Sequence, residues 1–210
     1  MDRPDILYVH SHDTGRYVQP YGHAVATPNI QRLAEEGMLF RRAFCAAPTC
    51  SPSRAALLTG QSPHGCGMLG LAHRGFRLTD YRRHIVHTLR QAGYYSALFG
   101  VQHVAADPAA IGYDYTWTKT ANAPEAAAAA AEFLTRPRGK PLFVSVGFGQ
   151  THREFPRPGP GDDPRYTLPP APLPDTPRIR YDMAAFKTSA RASMFSGTNR
   201  YGSVRFSRLR

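Results

Sequence analysis

Three short apolar runs constrain this chain more than any other feature. Ile6 to Val9, Tyr94 to Phe99 and Leu142 to Phe148 each have the length and the β-branched or aromatic content of a buried strand. Segments with helical spacing lie between them. Thr27-Pro28 opens a helix that Gly37 closes, with Ile30, Leu33 and Ala34 on its apolar face and Thr27 as its cap. Met38 to Phe44 reads as a further strand. Pro52 stands at the start of a helix carrying Ala55, Ala56, Leu57 and Leu58 to Gly60, which puts Cys50 just ahead of a helix N-terminus. Ile85 to Ala92 is helical up to Gly93, and Pro124 opens an alanine-rich helix that ends at Leu134. Strands that alternate with helices must be joined by crossovers, so this order predicts an α/β fold with a mostly parallel sheet and helices on both faces.

The rest of the chain bounds the function classes. With 210 residues, 42% of them hydrophobic, the chain can bury one sizeable core. No apolar run approaches the roughly 18 to 20 residues of a membrane span. Asp2, Arg3, Pro4 and Asp5 lead directly into Ile6, without the basic and long apolar regions of a secretory leader, so a cytoplasmic protein with no membrane partner is expected. Cys45, Cys50 and Cys66 form no CxxC pair, which argues against both a disulfide framework and a cysteine zinc site. The net charge of +11 would ordinarily point to a polyanionic partner, but six basic residues and no acid lie between Met183 and Arg210, and without those six the excess falls to +5. No aromatic-basic interleaving accompanies it, so nucleic acid is not an expected partner and a polyanion-binding module is the weaker alternative.

Residues 156 to 177 hold nine prolines and read as an extended loop laid over a surface. Helical spacing resumes from Tyr181 to Arg191. From Ala192 onward the composition is rich in Ser and Arg, free of acid and without periodicity, so the expected organisation is a folded region over 1–191 and an atypical basic tail over 192–210, unstructured or derived from a frameshift.

Polar residues cluster where the strands end. Ligands of parallel sheets gather beyond the carboxyl ends of the strands. The first strand runs into His10-Ser11-His12-Asp13, the second into Gly100-Val101-Gln102-His103, and the third into Gly149-Gln150-Thr151-His152.

The segment Cys50-Ser51-Pro52-Ser53-Arg54-Ala55-Ala56-Leu57-Leu58-Thr59-Gly60 resembles the signature of the type I, formylglycine-dependent sulfatases. Thr27-Pro28-Asn29-Ile30, Leu33 and Gly37-Met38-Leu39-Phe40 stand upstream at the spacing of that family, and Gly67-Met68-Leu69-Gly70-Leu71 downstream resembles its heparan N-sulfatase-like branch. The resemblance runs from about Asp5 to Arg191. It implies an alkaline phosphatase-like α/β/α sandwich, incomplete at its C-terminal side, and a sulfuric ester hydrolase. A formylglycine-generating enzyme would be its partner and a sulfated small molecule or saccharide its substrate.

The resemblance also implies roles. Cys50 would be oxidised to formylglycine, whose hydrate attacks sulfur. Arg54, one turn into the helix, would hold the diol or the sulfate oxygens. His103 matches the histidine that takes the diol proton, and His152 the one that assists the leaving group. Ca²⁺, or another divalent cation, would be held by Asp13, His12 and the modified Cys50. Here His12 stands where the family has a carboxylate, and imidazole is a poor calcium ligand; a softer ion is used, a ligand is missing, or His12 contacts sulfate. Asp13 also suits a turn before Gly15 on its own account. The family's sulfate-binding lysine would fall at Val101, and its second metal-binding carboxylates would lie beyond position 191. A chain that ends early would be an inactive fragment of such an enzyme.

Overall fold

A computed structural model describes residues 3–195 of the protein. The described residues form two compact units, one made of residues 3–10 together with Ala43–Phe148, the other of Ser11–Arg42 together with residues 149–195. The expected tail over 192–210 falls almost wholly outside the described residues.

The first unit is built on four parallel strands, β1 (Ile6–His10), β2 (Tyr95–Gly100), β3 (Tyr115–Trp117) and β4 (Leu142–Gly147), in the order β1-β4-β2-β3. All six residues of β4 are buried, as expected of an inner strand covered on both faces. Its alternation sorts the core into two layers. Leu142, Val144 and Val146 pack with Ala97 and Phe99 of β2 against Ala130 and Phe133 of α5 (Ala123–Leu134). Phe143 faces the other way, toward Ala55 and Leu58 of α2 (Cys50–Thr59) and Val86 of α4 (Ile85–Gln91). Helices therefore cover both faces, as the alternating order predicts. A four-residue helix, α3 (Pro63–Cys66), follows α2.

Buried or half-buried carboxylates set the strand starts. Asp5 accepts from the Leu142 N–H at 2.8 Å and pairs with Arg138, tying the base of β1 to that of β4. Asp114 accepts from both the N–H and the hydroxyl of Ser96, each at 2.7 Å, and from Arg90. Burial pushes the Asp114 carboxyl upward, but these Ser96 and Arg90 bonds outweigh it and hold the group below its ordinary range.

The second unit contains α1 (Pro28–Glu36) and α6 (Pro177–Phe195). The proline-rich loop lies along α6. Thr188 accepts from the Gly159 N–H at 2.8 Å and donates to the buried Asp162 carboxylate at 2.9 Å, and Arg191 pairs with that same carboxylate. Phe155 and Tyr17 both meet Phe186 edge-on.

Three expectations are corrected. Met38 to Phe44 is not a strand; it has no sheet partner, and Met38, Phe40 and Phe44 are exposed, the last at 90%. Thr27 precedes α1 but does not cap it, because its hydroxyl accepts from the Gln19 N–H at 2.9 Å while Gln19 Oε1 accepts from the Thr27 N–H. Cys50 is the first residue of α2 and not the residue ahead of it. Strand β3 and helix α3 lack the periodicity that would announce them, being three and four residues long. Among the described residues no helix is long and apolar enough to cross a membrane.

Candidate active site

In the first unit the polar groups gather at the carboxyl ends of β1, β4 and β2. The register sets His10 beside Gly147 and Gly147 beside Gly100. Glycine is needed at Gly147: a Cβ there would stand 2.0 Å from the Val101 carbonyl oxygen and 2.5 Å from His10 Cε1. The close approach lets the β2–β3 connection fold over β4 and leaves room for the His10 ring.

Cys50 sits half-buried in the first turn of α2, with Thr49 extended before it. The N–H groups of a first turn lack intrahelical acceptors, so they and the helix dipole favour an anion at this end. Ser51 and Pro52 are buried behind it, and Ser51 Oγ accepts from the Ala72 N–H at 3.1 Å, which fixes the turn against the following loop. One turn on, Arg54 Nη1 lies 2.5 Å from His10 Nδ1. Arginine only donates, so His10 accepts through Nδ1 and carries its proton on Nε2. Tyr8, whose ring is 4.7 Å from that of His10, has its hydroxyl pushed up by burial and partly offset by the Arg54 charge.

His103 projects from a loop wound around one side chain. Gln102 Oε1 accepts from the N–H groups of Val104 and Ala105, and its Nε2 donates to the Ala105 carbonyl at 2.6 Å. The winding leaves His103 at φ 58°, a left-handed conformation uncommon outside glycine, and strain of this kind collects at functional positions. The His73 ring lies 6.3 Å away.

The second unit brings His12, Asp13 and His152 together, each offering a donor atom within 4.8 Å of the others. Two loops are stitched to achieve this. The His12 N–H donates to the Gln150 carbonyl and the Thr151 N–H to the His12 carbonyl, both at 2.7 Å. Thr151 Oγ1 reinforces the second bond at 2.9 Å, and Thr14, itself buried, bonds Ser11 Oγ at 2.7 Å and the His12 carbonyl at 3.2 Å. His12 is buried, its Nδ1 lying 2.9 Å from Asp13 Oδ1, while Asp13 is exposed and left-handed at φ 47°. The His152 ring meets that of His12 edge-on at 4.7 Å, and its Nδ1 lies 2.5 Å from the Arg153 carbonyl.

Sequence reasoning reached Cys50, Arg54 and His103 in one unit and His12, Asp13 and His152 in the other. It did not assign roles to His10, Gln102, Gly147 or Thr151. The signal for His10 and Gly147 is positional: each is the last residue of its strand. Gln102 and Thr151 act through backbone groups, which no side-chain pattern advertises.

The family model described as "Sulfatase" matches residues 4–188. N-sulphoglucosamine sulphohydrolase of Homo sapiens is 34% identical over 140 residues, which is 62% of this chain and 28% of that protein. An arylsulfatase of Klebsiella aerogenes is 31% identical over 119 residues, 52% of this chain and 25% of that protein. A solved structure, described as BT4656 in complex with its substrate D-glucosamine-2-N,6-O-disulfate, superposes with a TM-score of 0.66 at 24% identity, covering 81% of this chain and 40% of that one. The chain thus spans about a quarter of the length of these curated relatives.

Proposed function

This chain belongs to the sulfatase family, with the alkaline phosphatase-like fold of its structural neighbours, and from that premise we propose that it carries the nucleophile-bearing part of a sulfuric ester hydrolase centred on Cys50. The observation that supports the reading best is the pairing of Cys50, in the first turn of α2, with an Arg54 held against His10 at the end of β1. That turn presents N–H groups and the positive end of the dipole, and the neighbouring guanidinium adds a fixed cation where a sulfate group would carry its negative charge.

Cys50 suits conversion to formylglycine by a separate enzyme, because it is accessible and at the start of its helix. When present, that group supplies an oxygen nucleophile that cysteine lacks. The remaining roles belong to this chain. Arg54 binds and orients the sulfate oxygens; His10 holds Arg54 on that side of its helix. His103 moves the proton of the nucleophile as a general acid–base imidazole. The substrate we propose is a sulfated or N-sulfated saccharide, on the strength of the N-sulphoglucosamine sulphohydrolase relative. Calcium does not fit the donors around His12: two imidazoles and one carboxylate are not the oxygen set that a hard cation takes, so no step is assigned to it.

The test is turnover of an aryl sulfate ester by the chain co-expressed with a formylglycine-generating enzyme, beside Cys50→Ala. Activity in the first and none in the second is expected. Failure of the unmodified sequence to turn over, with Cys50 converted by mass, would favour a second reading, a sulfated-ligand binder without catalysis. One observation leans that way: Asp13 is the single carboxylate in the metal-ligating group of the second unit, among the described residues.

A further inference from the structure

We infer that His12, Asp13 and His152 form a site for one borderline first-row divalent ion of the Zn²⁺ type, with His152 as a direct ligand. The inference deepens the sulfatase reading, which supplies a reason for a cation here, and it departs from that reading in the choice of ion. The donor set carries it. Two imidazole nitrogens and one carboxylate oxygen are the ligands of borderline ions, whereas Ca²⁺ takes six to eight oxygens.

The geometry agrees on three counts. His12 Nδ1 and Asp13 Oδ1 are 2.9 Å apart; two ligands bound at about 2.1 Å to one ion stand roughly 3 to 3.5 Å from each other. The His152 Nδ1 lies 2.5 Å from the Arg153 carbonyl, which sets the ring proton on that nitrogen and presents Nε2 as a lone-pair donor. A ring held through one nitrogen by a backbone carbonyl while the other faces a metal is how protein histidines are oriented as ligands. Third, the oxygens nearby are committed elsewhere. The Thr14 and Thr151 hydroxyls point at the His12 carbonyl, and that carbonyl accepts from Thr151, so the loops that position the imidazoles offer a hard ion little beyond Asp13.

The paired 2.7 Å backbone bonds between residues 12 and 150–151 hold His12 and His152 at their spacing, which lowers the ordering cost of binding an ion there.

The experiment uses the full 210-residue chain after chelation and dialysis, titrated separately with Zn²⁺ and Ca²⁺ in a calorimeter and with Co²⁺ by visible absorption. One Zn²⁺ per chain, bound about 100-fold or more tightly than Ca²⁺, is expected. His152→Ala, an exposed position whose loss spares the fold, should weaken Zn²⁺ by roughly 10- to 100-fold and alter the Co²⁺ spectrum. His12→Asp should narrow the Zn²⁺-over-Ca²⁺ preference by about tenfold or more. Equal affinity for Ca²⁺ and Zn²⁺, or an unchanged Co²⁺ spectrum in His152→Ala, overturns the inference. Its failure is separable from that of the sulfatase reading, because the titrations need no turnover: Zn²⁺ binding that persists in an inactive chain sinks only the enzymatic reading, and turnover that depends on Ca²⁺ sinks only this one.

Discussion

Arg54 reaches back along its helix to His10, and the contact binds the fate of two side chains. A guanidinium can only donate, so His10 accepts through Nδ1 and carries a proton on Nε2. Replacing Arg54 by Ala removes a preorganised donor and should lower kcat in the aryl sulfate assay by about 10²- to 10³-fold, or roughly 3 to 4 kcal/mol. His10→Ala should act through Arg54 and produce a smaller loss, which His10→Asn, another acceptor, should partly restore; equal losses in both would show that His10 does not work by positioning. Gly147 serves the same corner by being small. With a Cβ 2.0 Å from a carbonyl oxygen, Gly147→Ala should cost about 2 to 3 kcal/mol of unfolding free energy, read from the urea midpoint at constant slope.

At the scale of elements, the site depends on loops that are held by polar bonds more than by apolar burial. The loop over α6 is pinned at Asp162, which is buried and receives both Thr188 and Arg191. Asp162→Ala would strand the partly buried Arg191 without its carboxylate. It should cost about 2 to 4 kcal/mol and speed proteolytic nicking within residues 156–177. The cap on α5 is a smaller case: Asn122 accepts from the Glu125 N–H at 3.3 Å, so Asn122→Ala should cost about 1 kcal/mol, measured by thermal unfolding. Helices and inner strands were legible because propensity and burial coincide in them. The run Met38 to Phe44 was misread since apolar content alone marks a strand, while a strand also needs a neighbour, and none is offered.

At the scale of the whole molecule, protonation of the buried His84 opposes folding. His84 is fully buried; its Nδ1 accepts from the Val86 N–H at 3.3 Å, and its Nε2 has no hydrogen-bond partner among the described residues. Burial first, and the nearby His87 second, bring its pKa down from the usual 6.5 to about 4. The unfolded chain therefore takes up a proton near pH 6.5 that the folded chain refuses until about pH 4. Stability is complete above that window and falls as the pH drops through it, by about 3 kcal/mol in all. Urea unfolding between pH 7 and 4 should show the slope, and His84→Asn, which keeps a capping acceptor but does not titrate, should flatten it. The sequence by itself determined the parallel α/β architecture, the family, and the residues of the Cys50 motif, because each depends on local spacing along the chain. Only the tertiary structure decided which of those residues meet. The His10–Arg54 contact joins positions 44 residues apart and the Thr151–His12 bond positions 139 apart. Such contacts arise where strands and loops distant in sequence finish side by side, and neither composition nor periodicity carries a trace of that.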